Sequence, residues 1–110
     1  MSKVKEFEQE GLQCFVRQLG GIAVPAYHTG YVALPDTHDL YEKEYDDFDI
    51  EAHGGITYTK KGENSTWVLG FDTVHIDDTE ETQSLEYVVE ETKKLAERLA
   101  KGEYNVRTIC

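Results

Sequence analysis

Basic residues are scarce in this chain, and cysteine, proline and long apolar runs are scarcer still. Eleven Lys and Arg face 22 Asp and Glu, giving a formal net charge of −11. Such a balance repels duplex nucleic acid and anionic membrane, so neither is an expected partner. The two cysteines, Cys14 and Cys110, lie far apart and form no CxxC pair. A metal knuckle or a redox dithiol therefore has no basis, and two free thiols are expected. No apolar stretch approaches the ~20 residues that span a bilayer. The opening MSKVKEFEQE has no apolar signal core either, so the expected location is cytoplasmic. P-loop, dinucleotide fingerprint, nucleophile elbow and Cys–His signatures are all missing, and nothing specifies a catalytic residue.

What is present suffices for a folded domain. Apolar residues make up 39% of the 110 positions and aromatics 11%, against a mean hydropathy of −0.56. That length supports a single core, so residues 1–110 are read as one domain, with its centre at about 11–101 and 102–110 as an edge strand or a tail. Net charge does not exclude an anionic ligand, because the field inside a site depends on the groups nearest to it.

Period-two alternation in GLQCFVRQLG puts Leu12, Cys14 and Val16 on one face and Gln13, Phe15 and Arg17 on the other, a strand. A second strand runs through Tyr31–Leu34 to Pro35, after a connection punctuated by Gly20, Gly21 and Pro25. Residues 36–51 carry eight acids and one lysine together with Leu40, Tyr41, Tyr45 and Phe48, an acidic loop pinned to the core by its apolar residues. DIEAHGGITYTK and STWVLGFDTVHI, separated by KGENS, read as a hairpin with a glycine bulge. Its buried face is expected to hold Ile50, Ala52, Ile56, Tyr58, Trp67, Leu69 and Phe71. Leu85, Val88, Val89, Leu95 and Leu99, with Thr92 and Ala96, form one helical stripe that starts at Thr82 or Ser84 and ends near Lys101 and Gly102. The expected fold is α+β, a mostly antiparallel four- or five-stranded sheet with one long C-terminal helix packed across it.

Two clusters offer chemistry. His53, Gly54 and Gly55 interrupt a strand-like run, and glycines there admit a ring, a backbone or a ligand. The second is GFDTVHIDD, with Asp72, His75, Asp77 and Asp78. His53, Asp72 and His75 are candidate ligands for a divalent metal, although their spacing matches no named motif and Asp72 and His75 share a side only if the strand has ended before them. His28 and His38 flank TGYVALP, where either can line a cavity with Tyr27, Tyr31 and Tyr41.

The ordered run of GYVALP, HDLY, YDD, HGGIT, GFDTVH and a late EYVVEETKKLAERL helix resembles a family of small proteins found mainly in bacteriophage and prophage genomes. The resemblance covers roughly residues 11–101 and brings no activity with it. It places emphasis on His38, Tyr41, Tyr45, Asp46, Asp47, His53, Gly54, Gly55, Thr57, Phe71, Asp72 and His75. Many relatives read GFDCAHAGD where this chain has Thr73-Val74 and Ile76-Asp77-Asp78, which argues against cysteine-dependent chemistry here.

Three functions follow as expectations. The first is sequestration of a nucleotide-derived small molecule by His53, Gly54, Gly55, Thr57, Tyr58, Asp72 and His75, with His38 and Tyr41, in a counter-defence role and without turnover. Few bases stand near such a pocket; Arg17, Lys60 and Lys61 are the candidates in the first two-thirds of the chain besides Lys3, Lys5 and Lys43. The second is inhibition of a basic host defence protein through the acid blocks 36–51 and 77–91, which hold 15 of the 22 acids. The third is a metal-assisted hydrolase using His53, Asp72 and His75. Pairing into a homo-oligomer would add walls to a pocket in so small a domain.

Overall fold

A computed structural model describes residues 2–107. Strands β1 (Ser2–Gln9), β2 (Leu12–Leu19), β3 (Tyr27–Pro35), β5 (Tyr58–Lys61) and β6 (Thr66–Phe71) form a five-stranded antiparallel sheet in the order β1-β2-β3-β6-β5. Short strands β4 (Phe48–Asp49) and β7 (Asn105–Val106) form a separate two-stranded ladder. Helix α1 (Leu85–Lys101) packs across β2 and β3. This is the expected α+β architecture. No helix among the described residues is long and apolar enough to cross a membrane.

Side-chain parity decides what each face of the sheet does. Leu12, Cys14 and Val16 of β2, Val32 and Leu34 of β3, and Trp67, Leu69 and Phe71 of β6 point to α1 and are buried. The helix returns Val88, Val89, Thr92, Leu95, Ala96 and Leu99. Ser84 caps its start by accepting from the Tyr87 amide, and Gly102 closes its end in the left-handed region. Burial pushes the Cys14 thiol up to about 12, so it stays protonated, and it is a free cysteine; Cys110 lies outside the described residues.

One local expectation is corrected, and two elements are added to the expected fold. Residues 2–9 form β1, joined to β2 through a two-residue turn at Glu10 and Gly11, both with positive φ as type I′ hairpins require. Residues 50–57 form no strand and no bulge. Ile50, Ala52 and Ile56 still pack against the core, but from a turn, whereas Tyr58 belongs to the opposite face. The tail pairs with β4 rather than with the main sheet, fixed by Arg107, which bonds Asp49 and the Asp46 carbonyl.

The helix approaches the sheet closely at Gly30. A Cβ built there would lie 2.1 Å from Thr92 Oγ1 and 2.7 Å from the Phe71 ring. Gly30→Ala should therefore cost about 1–3 kcal/mol by overpacking, more than the ~0.5–1 kcal/mol that alanine gains over glycine in a strand. Urea denaturation checks this, and an unchanged midpoint would mean that α1 is not seated on β3.

Candidate functional site

The sheet strand β6 ends at Phe71, and the chain then turns through residues 72–79 before reaching the helix. Because the strand has ended, Asp72 and His75 come together, with His75 Nε2 3.4 Å from Asp72 Oδ1. The opposing segment is a tight turn closed by the Gly55 amide donating to the Ala52 carbonyl at 3.0 Å. His53 and Gly54 are its central residues, and Gly54 has a φ of 68°, the positive value that a type II turn places on glycine. A Cβ on Gly54 would stand 2.2 Å from His75 Cε1, so the imidazole of His75 occupies the room a side chain would take. Gly55, by contrast, has open space where its Cβ would lie.

Asp78 joins the pieces. Its side chain is 2% exposed, and its two oxygens serve both imidazoles: His53 Nε2 lies 2.5 Å from Oδ1, and His75 Nδ1 lies 3.0 Å from Oδ2. The His75 amide donates to Oδ2 at 2.8 Å, and the Thr82 hydroxyl donates to Oδ1 at 2.9 Å. The far nitrogen of His53, Nδ1, meets the Tyr87 hydroxyl at 2.9 Å. Burial works to raise the Asp78 carboxyl, but the hydrogen bonds from the His75 amide, Thr82, His53 and His75 outweigh it and hold the group at about 2. The carboxylate is thus ionised and acts only as an acceptor. His53 and His75 therefore each present an N–H to it.

The sequence-based site residues divide among three places. His53, Gly54, His75 and Asp72 come together, and Thr57 joins their edge by donating to Asp72 at 3.1 Å. Asp78, Thr82 and Tyr87 complete this cluster; Asp78 was legible as a nearby acid, but Tyr87 reaches His53 only through the packing of α1. His38 and Tyr41 lie elsewhere. His38 Nδ1 accepts from the Leu40 amide and its Nε2–H donates to the Leu99 carbonyl, pinning the acidic loop to the end of α1. Leu99 follows Tyr87 by three helical turns and a fraction, ~18 Å along the axis. His28 is a third clasp, with Nδ1 2.8 Å from the Gln83 carbonyl. No protein-family profile, curated protein or solved structure matches the chain.

Tyr58 lies on the open face of the sheet, away from α1. There Phe15 stacks on Tyr31 with centroids 4.7 Å apart, and Tyr58 meets Tyr31 edge-on at 5.4 Å. The Tyr31 ring covers Gly70, where a Cβ would come within 2.6 Å of it. The Arg17 guanidinium stands 5.2 Å from the Phe15 centroid and 5.1 Å from that of Tyr31, and Lys3 Nζ lies 4.6 Å over Phe15. Lys3, Phe15, Arg17 and Tyr58 border a hollow of about 720 Å³ whose lining also includes Lys60 and Lys61. Four bases thus meet two acids, Glu6 and Glu63, around it, an inversion of the overall balance. A second hollow of about 540 Å³, beside β4 and β7, is bordered by Asp49, Glu51 and Glu103 and suits no anion.

The acid block 36–51 is tied to its own chain at several points. Glu44 accepts from Thr59 at 2.8 Å, Glu51 pairs with Arg98 at 3.0 Å, Asp39 accepts from Tyr104 at 3.3 Å, and Asp49 pairs with Arg107.

The depressed carboxyl of Asp78 sets a pH dependence. Its folded value of about 2 lies below the ordinary 3.8, so its contribution to stability is complete above pH ~4 and is lost as pH falls through ~2. Denaturation midpoints of the wild type and Asp78→Asn, compared from pH 5 downward, should converge between about pH 4 and pH 2. A constant difference across that range would contradict the ionised, hydrogen-bonded state.

Proposed function

We propose that this protein is a small-molecule-binding module that holds an anionic, aromatic ligand of the nucleotide class on the open face of its sheet. The observation that supports the reading is the convergence of Lys3, Arg17, Lys60 and Lys61 around a hollow floored by aromatic rings. Arg17, Lys60 and Lys61 are among the bases that the sequence offers for an anion, and their meeting on one side of an acidic chain favours a ligand there. A volume of about 720 Å³ falls within the ~300–1,000 Å³ usual for small-molecule sites. Phe15 and Tyr58 supply faces and edges against which a base can stack, and the guanidinium and ammonium groups supply donors for phosphate oxygens.

The ligand set shares only Tyr58 with the one expected around His53. The ring of His75 over Gly54 leaves less room on that turn than two adjacent glycines suggest. Sequestration without turnover, in a counter-defence setting, is the role that the resemblance to bacteriophage proteins suggests for such a module.

Calorimetric titration with mononucleotides, cyclic dinucleotides and ADP-ribose derivatives, in the presence of a chelator, tests the reading. One class should bind, more weakly as salt rises. Arg17→Ala and Tyr58→Ala should each weaken it by about tenfold or more, in line with the ~1–3 kcal/mol typical of a stacked base. Binding that survives both substitutions but is lost in His53→Ala would move the ligand to the histidine turn, and the absence of binding across the panel would overturn the proposal.

A further inference from the structure

On the helix side of the sheet, the cluster around Asp78 has a property that its role as a structural tie does not require. Each imidazole directs one nitrogen at the same carboxylate and has its other nitrogen beside a different polar group, Tyr87 for His53 and Asp72 for His75. Metal-bound histidines are oriented in this way, with the ring nitrogen that does not bind the ion held by a hydroxyl, carbonyl or carboxylate.

We infer that His53 Nε2, His75 Nδ1 and Asp78 form a three-ligand site for a divalent first-row transition ion of the zinc type, with a further coordination position left to water or an added ligand. Each of the three residues offers one ligand atom within 4.8 Å of those of the other two, and His53 Nε2 and His75 Nδ1 are the nitrogens that face Asp78. Donors around a tetrahedral zinc, each ~2.0–2.2 Å from it, stand ~3.4 Å apart, so a pair at the 4.8 Å limit would close by roughly 1.4 Å while the 2.5 Å contact of His53 Nε2 with Asp78 Oδ1 opens by about 0.9 Å. Two imidazoles and one carboxylate are a borderline nitrogen and oxygen set, which suits such an ion better than calcium or magnesium.

Proton positions explain how one network accommodates both states. Without an ion, His53 Nε2–H and His75 Nδ1–H donate to Asp78, and the Tyr87 hydroxyl donates to His53 Nδ1. With the ion, those two protons leave the liganding nitrogens, and each ring takes a proton on its opposite nitrogen. His53 Nδ1–H then donates to the Tyr87 oxygen and His75 Nε2–H to the Asp72 carboxylate. Both partners accept, so every imidazole N–H is met in the ion-bound state, and the approach of His75 Nε2 to Asp72, acceptor against acceptor in the ion-free state, becomes a hydrogen bond there. Gly54 contributes by leaving the space in which the His75 ring lies. Half-exposed His75, 35% accessible against 17% for His53, marks the side from which an ion enters.

Zinc and cobalt(II) are the probes, added to the untagged chain with no nucleotide present so that the outcome is separate from that of the sheet hollow. One equivalent should bind. Cobalt should show the visible absorption of a four- or five-coordinate site, and nitrogen NMR should record the tautomer of His53 changing from Nε2–H to Nδ1–H. His53→Ala and His75→Ala should lower affinity at least 100-fold. Tyr87→Phe and Asp72→Asn, which keep the ligands, should lower it by ~10–100-fold. These two guard against a histidine variant that fails to fold. No saturable binding at millimolar zinc, affinity unchanged in His53→Ala, or perturbation of His28 and His38 in place of His53 and His75 would each overturn the assignment.

Discussion

An ionised carboxylate with 2% of its side chain exposed holds three parts of this molecule in place. Removing Asp78 from water is costly unless its lone pairs are met, and here an amide, a hydroxyl and two imidazoles meet them. Those donors come from the turn at 52–55, the loop at 72–79 and the residues leading into α1. The position of each part therefore depends on the same oxygen atoms. The turn can approach closely because Gly54 has no side chain, and the loop can fold back because β6 stops at Phe71.

The two faces of the sheet differ in kind. Toward the helix the strands bury aliphatic and aromatic residues, and polar groups appear only where hydrogen bonds satisfy them; among the described residues no buried side-chain nitrogen or oxygen lacks a partner. The other face keeps aromatic rings and cations in a shallow hollow, where cation–π contacts among Lys3, Arg17, Phe15 and Tyr31 order the side chains in advance of any guest. An acidic chain can maintain such a patch because nearby groups dominate its field.

Much of this was legible where one short period governs. Leu12, Cys14 and Val16 alternate as a strand must, and the stripe from Val88 to Leu99 repeats as a helix must. Strand β1 was missed because Lys3, Lys5, Glu6 and Glu8 leave only Val4 and Phe7 to suggest a strand, as an edge position permits. Ile50, Ala52 and Ile56 suggested a strand because they are apolar, yet partial burial of a turn asks for the same residues. The pairing of His75 with Asp78 is local, three residues apart, and was within reach. Tyr87 beside His53, and Lys3 in the same hollow as Lys60, depend on how the helix docks and how five strands align, which no window of the sequence contains.

The lysines bordering the hollow have a second consequence. Strands β1 and β5 are the two free edges of the sheet, and Lys3, Lys5, Lys60 and Lys61 lie on them. A further chain adding its backbone at either edge would have to bring that edge's ammonium groups out of water, so the charges oppose fibril-like growth. Neutralising these positions would thus expose a template for aggregation at both edges while it removed the positive charge that surrounds the hollow.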